Sequence, residues 1–173
     1  MGNNEMVRLL RSPVASILHP GLFPAVLELE ERYARDPISP PVLEESFHSL
    51  YTKGVVGITT NNTIISYLVF DTTKYSINIR SLLVLPQFRR SENHWGSRVL
   101  EFLTSLPALQ MYKQITAVVP EDMLVEQQFL RANGFKTIKT LRGQHGELDE
   151  YVFVRPLRYR VTRHAERIEN VKA

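Results

Sequence analysis

With 173 residues, 43% hydrophobic and 23% charged, the chain carries enough apolar material for one globular domain with a substantial core. The absence of cysteine excludes disulfides, thiol nucleophiles and thiolate metal sites. The net charge of +3 is unevenly placed, because residues 155–173 hold six Lys/Arg against two Asp/Glu and leave fifteen basic and sixteen acidic residues elsewhere.

No apolar run approaches the roughly 20 residues of a bilayer span. The opening MGNNEMVRLLRSP also lacks the apolar core of a signal peptide, so a cytoplasmic location is expected. The basic end suits a nucleic-acid or membrane surface, but the commoner reading of an end with this composition is a solvated terminus.

Along the chain, Met6 to Leu10 reads as a short strand. GLFPAVLELEERYARDP then places Leu22, Val26, Leu27, Leu29 and Tyr33 at helical spacing, closed by Pro37. Ser39 before Pro40-Pro41 reads as the N-cap of a second helix that runs through VLEESFHSLYTKG to Gly54. VVGITTNNTIISYLVFDTT gives two strands joined at Asn61-Asn62, residues that accept the left-handed backbone of a tight hairpin. YSINIRSLLVLP alternates and then turns wholly apolar, as a strand entering the middle of a sheet does.

A helix follows with Trp95, Val99, Leu103 and Leu106 on one face. QITAVV is another buried strand, MLVEQQFLRANGF a helix ended by Gly134, and FKTIKTLRG with EYVFVRPL a final strand pair. The order of elements predicts an α/β chain with a mixed sheet.

The segment LVLPQFRRSENHWGSRVLEFL passes from strand through an Arg-rich turn into a helix. Such a turn holds phosphate well, because unpaired N–H groups and the helix dipole face outward there. Glycine usually lets the backbone approach the anion, and here only Gly96 is present, with His94 and Glu92 beside it. The five histidines show no metal-binding spacing, so no metal is expected.

Four stretches in order resemble the GCN5-related N-acetyltransferase superfamily across residues 6 to 157. They are NNTIISYLVF, LLVLPQFRR, GSRVLEFL and VVPEDMLVEQQFLRANGF. The resemblance implies a mostly antiparallel central sheet with a splayed strand pair, flanked by about four helices. It divides the chain into an acyltransferase-like domain, 1–157, and a basic tail, 158–173.

It also implies acetyl-CoA or another acyl-CoA as cofactor. The pantetheine arm would follow Leu83, Val84 and Leu85, and the pyrophosphate would meet Arg89, Arg90, Ser91, His94, Trp95, Gly96 and Ser97. Relative to the family turn this chain is two residues longer, with His94 at the first glycine. Trp95 either covers the adenine or packs in the core.

The positions that match the family's acid–base groups are Asn78, Val118 and Leu130, and its cofactor-holding asparagine matches Met123. None titrates. Candidate catalytic groups are therefore Asn78, holding a water, together with Glu121 and Tyr151. Glu121 also has an ordinary reading as a solvated loop residue, and Tyr151 one as a packed strand residue.

The implied activity is acyl transfer to a small-molecule or peptide amine by direct attack on the thioester. The alternatives are a catalytically inert acyl-CoA-binding or other ligand-binding module, and a nucleic-acid- or ribosome-associated protein held by the tail. Homodimerisation is left open.

Overall fold

In the computed structural model, which describes residues 13–49, 52–61, 63–89, 91–143 and 148–157, seven strands form one sheet. They are β1 (Val14–Ile17), β2 (Lys53–Thr60), β3 (Thr63–Thr72), β4 (Ser76–Val84), β5 (Gln114–Pro120), β6 (Lys136–Leu141) and β7 (Glu150–Pro156). Their spatial order is β1, β2, β3, β4, β5, β7, β6. Every neighbouring pair is antiparallel except β4 and β5. Helices α1 (Phe23–Tyr33) and α2 (Pro40–His48) cover one face, and α3 (Trp95–Ser105) and α4 (Leu124–Ala132) the other. This is the mixed, mostly antiparallel α/β architecture that the sequence predicts.

The central strands are buried on both faces, which explains their apolar runs: Ile64 to Phe70 of β3 is buried without a break. Asn61 takes φ 47° at the β2–β3 turn, the left-handed conformation expected there. Asn62 lies outside the described residues. Between the sheet and α3/α4 lies a core that includes Phe70, Ile77, Val99, Leu103, Ile115, Leu130 and Phe153. The opposite core joins Val26 of α1 and Leu43 and Phe47 of α2 to Val55, Val69 and Leu83.

Two expectations change, and a third falls outside the described residues. The strand read at Met6–Leu10 lies outside the described residues, while β1 appears at Val14–Ile17, an edge strand with three of its four residues exposed and so no apolar alternation to reveal it. Helix α1 stops at Tyr33, ahead of Pro37, because Arg35 and Ile38 are drawn into contacts with other elements. Helix α2 ends at His48 rather than at Gly54. Gly54 lies inside β2, where a Cβ would come within 2.7 Å of the Phe70 ring; packing against the sheet overrides its helix-ending character. Among the described residues, no helix is long and apolar enough to cross a membrane.

One buried carboxylate joins the layers. Glu30, on the inward side of α1, is wholly buried. Its Oε1 accepts the Tyr67 hydroxyl of β3 at 2.8 Å and the Ser81 hydroxyl of β4 at 2.5 Å. Its Oε2 accepts the Ile38 N–H at 3.1 Å. Burial and the adjacent carboxylate together push the Tyr67 phenol well above its ordinary pKa, so it remains a donor. Replacing Glu30 by Ala strands one buried donor, Tyr67, and two half-buried ones, Ser81 and Ile38, at up to about 1–3 kcal/mol each. We expect E30A to lose about 3 kcal/mol or more in urea denaturation, and Tyr67→Phe, which removes its own donor, to lose less.

Candidate active site

Strands β4 and β5 run side by side for only four residue pairs, Ser76↔Gln114 to Ile79↔Ala117. Beyond that, β4 continues against β3 alone and β5 against β7 alone. The divergence has a local cause. Ile79 faces Phe70 and Ser81 faces Val69, which leaves Arg80 as an extra residue in β4. Such a bulge bends and twists its strand, and this one falls immediately after the last β5 pair.

The bulge sends Ser81 and Leu83 toward α1/α2, and Leu82 and Val84 toward α3/α4. Leu85 N–H is given to Ile65 O at 3.0 Å. Strand alternation then turns the backbone groups of Val84 and Leu82 to the edge that β5 has left. An unpaired strand edge accepts an extended ligand as a further strand.

At the end of β4 the chain makes a 3-10 turn, Pro86–Phe88, and enters α3 through His94. Arg89 Nε donates to Val84 O at 2.9 Å, fixing the guanidinium at the mouth of the split. Ser91 Oγ donates to Phe88 O at 3.0 Å. His94 adopts φ 49° and ψ 48°, and its side chain does not cap the helix. The first intrahelical bond is Arg98 N–H to His94 O, so the N–H groups of Trp95, Gly96 and Ser97 are available to an anion.

Gly96 lets α3 lie close to its neighbours, because a Cβ there would meet Phe129 at 3.0 Å and Val84 at 3.4 Å. Trp95 is buried in the core, with the Arg98 guanidinium stacked 5.1 Å from its ring centroid, so it offers the turn its backbone rather than its ring. Arg90 lies outside the described residues.

No protein-family model and no curated protein matches the sequence. Solved structures match its shape. The Ard1 structure from Thermoplasma volcanium aligns with a TM-score of 0.74 at 14% identity, covering 86% of this chain and 99% of that one. The Arabidopsis thaliana NAA60 complex with acetyl-CoA gives 0.73 at 8% identity, covering 84% and 99%. The ribosomal-protein-S18-alanine N-acetyltransferase from Escherichia coli gives 0.70 at 16%, covering 84% and 94%. The chain has the GNAT fold.

Within this GNAT fold the residues singled out by sequence fall into two groups. Leu83, Val84, Leu85, Arg89, Ser91, His94, Trp95, Gly96 and Ser97 all lie along the free end of β4 and the turn into α3. Of the three leucine and valine positions, Leu85 has its N–H committed to β3 and Val84 faces the open edge. Leu82, which shares that edge, was missed because the bulge that sets the strand's phase is not visible in sequence.

The catalytic candidates do not converge. Asn78 sits one residue below the split, its Nδ2 donating to Asp71 at 2.7 Å and its Oδ1 accepting from Thr116 at 2.6 Å. Glu121 is exposed on the turn after β5, with its backbone bonded to Asp149 and Gln127. Tyr151 pairs with Val119 and Thr140 and packs against the α3/α4 core. Val118 is 49% exposed, Leu130 is buried and Met123 precedes α4. Asp71, a carboxylate beside Asn78, went unnoticed because only the β3–β4 register brings the two together. Among the described residues, no three His, Asp or Glu side chains converge as a metal site.

On the α1/α2 face, Arg35 of the α1–α2 connection pairs with Asp122 of the β5–α4 turn at 2.5 Å. The hydrogen bond and charge of Asp122 hold Arg35 above its ordinary pKa, and Arg35 holds Asp122 below the usual carboxylate range. Both groups are solvent-facing, so the pair is a weak tether.

A left-handed backbone costs an L-residue roughly 1–2 kcal/mol, part of which glycine's greater unfolded-state entropy offsets. We expect His94→Gly to raise the thermal midpoint by an amount equivalent to about 0.5–1 kcal/mol. Gly96→Val, which overpacks the α3–α4 contact, is expected to lower it by about 1–3 kcal/mol, both measured by thermal denaturation.

Proposed function

We propose that this chain is an acyl-CoA-dependent N-acyltransferase that uses acetyl-CoA and an amine acceptor. The observation that carries this reading is the split of β4 from β5 at the Arg80 bulge, which opens directly onto the turn into α3. The fit to an acyl-CoA is chemical as well as spatial. An extended amide-bearing arm suits the backbone groups of Leu82 and the N–H of Val84, and a pyrophosphate suits Arg89 and the N–H groups of Trp95, Gly96 and Ser97. The similar structures are consistent with this, since one is a complex with acetyl-CoA and another is an alanine N-acetyltransferase.

When bound, acetyl-CoA supplies an acyl group already activated as a thioester. The chain's own contribution is chiefly placement. The free edge of β4 holds the donor in line with an acceptor arriving from the α1/α2 face, where Val118 and Thr116 of β5 lie open or half-buried. Orientation of two reactants supplies a large share of such rate enhancement. Backbone N–H groups aimed at the carbonyl oxygen stabilise the charge that develops there. Asn78, with one amide hydrogen beyond its bond to Asp71, holds a water that accepts the acceptor's proton.

The second reading is a GNAT-fold module that binds acyl-CoA without turnover. It is favoured by Val118, Leu130 and Met123, none of which titrates. Calorimetric titration with acetyl-CoA, with 3′-dephospho-CoA as the control, separates the possibilities. We expect micromolar binding, weakened about tenfold by Arg89→Ala, which removes one charge-assisted contact of about 1.5 kcal/mol. Turnover with an amine panel then distinguishes enzyme from module, and no detectable binding by the wild-type chain overturns both. Asn78→Ala is expected to lower kcat while leaving acetyl-CoA affinity within about twofold.

A further inference from the structure

We infer that Asp71 of β3 is the carboxylate that takes the acceptor's proton, acting through water held at Asn78. This rests on the acyltransfer reading above and gives it the titratable group that Asn78 cannot supply. Three observations carry it.

First, the β3–β4 register places Asp71 directly opposite Asn78. Directly opposed residues project to the same face, here the α1/α2 face, toward which Ser81 and Leu83 also point. Second, the two side chains are bonded. Asn78 Nδ2 donates to Asp71 Oδ1 at 2.7 Å, and Asn78 Oδ1 accepts from the Thr116 hydroxyl of β5 at 2.6 Å. A flipped amide would set Oδ1 against a carboxylate, so Asp71 fixes which way Asn78 points. The chain Asp71–Asn78–Thr116 spans three strands across the foot of the split.

Third, the carboxylate is not sealed off, and the cation paired with it is solvent-exposed and so weakly held. The Asp71 side chain is 28% exposed, and Arg80 Nη1 stands 3.6 Å from Oδ2, beyond hydrogen-bond length, with the Arg80 side chain 57% exposed. Lys53 of β2 lies across from Asp71 in the register, but its ammonium is bonded to Glu45 of α2 at 2.6 Å. The groups facing Asp71 are therefore Arg80, Asn78 and the Lys53–Glu45 pair, and Oδ2 retains acceptor capacity for water.

The step balances as follows. The acceptor ammonium gives one proton through water to the Asp71 carboxylate. The freed amine forms the C–N bond as the thioester C–S bond breaks, and the second proton leaving nitrogen goes to the departing thiolate. Asp71 then returns its proton to solvent. Because Asp71 acts through Asn78 and water, it is a positioning and proton-accepting residue rather than one that touches the substrate.

The test compares wild type, Asp71→Asn, and the exchange variant Asp71→Asn/Asn78→Asp, which moves the carboxylate one strand toward the split. Each is assayed with the best acceptor from a panel of tetrapeptides and diamines, together with acetyl-CoA calorimetry and thermal midpoints. We expect D71N to bind acetyl-CoA within about twofold of wild type and to lose on the order of 10²-fold in kcat near neutral pH. That deficit should shrink as rising pH supplies free amine. The exchange variant should regain at least tenfold of the loss.

A purely structural Asp71 would give no high-pH rescue, whatever the exchange variant recovers. If wild type turns over and D71N matches it in kcat and pH profile, the role of Asp71 is overturned while the acyltransferase reading stands. If D71N fails to fold, the exchange variant decides, and a folded but inactive exchange variant overturns the role. Wild type that binds acetyl-CoA without turnover overturns catalysis and Asp71 together but leaves the cofactor site. Wild type that does not bind at all overturns the site itself.

Discussion

Everything that positions the split depends on where Glu30 puts its charge. A carboxylate with no solvent contact is stable only when each oxygen is satisfied, and here the donors come from β3, from β4 and from the connection after α1. The constraint is therefore geometric: helix, loop and two strands must meet at one point. Ser81, one of those donors, is the residue that follows the Arg80 bulge. The same anchor that docks α1 thus holds the bulge in phase, and the bulge is what parts β4 from β5.

From that parting the rest follows by simple alternation. Once Leu85 N–H is used by β3, Leu82 and Val84 face the vacated edge, and Arg89 folds back to the Val84 carbonyl at its end. Gly96 then brings α3 against Val84 and Phe129, so the helix start and the free strand edge form one continuous surface. The left-handed His94 is how the turn, with no glycine at that position, delivers the chain into α3.

The elements were legible where one period dominated over several turns or strands. The apolar β3, the alternating start of β4 and the Gly134-terminated α4 all appear as read, with Gly134 at φ 82°. What stayed hidden depended on register. Glu30 lies four residues after Val26, on the buried stripe of α1, and that spacing was the available signal for a buried carboxylate. Apolar spacing alone does not record a carboxylate on that stripe. Asp71 and Leu82 were hidden for a different reason, since one bulged residue changes which neighbours share a face. Gly54 looked like a helix end and is instead a strand residue under an aromatic ring, a long-range contact that local sequence does not record.

The stretch between Glu30 and Arg35 works as a lintel. Its near end is fastened to β4 through Ser81, and five residues on, Arg35 reaches the turn that follows β5. The chain therefore crosses from one bank of the opening to the other on the α1/α2 face. The two fastenings are unlike: one is buried and indifferent to the solvent, the other exposed and weakened as added ions shorten the screening length. Span and split together make a frame braced on the β4 side by a buried carboxylate and on the β5 side by an exposed pair, so added salt weakens only the second brace.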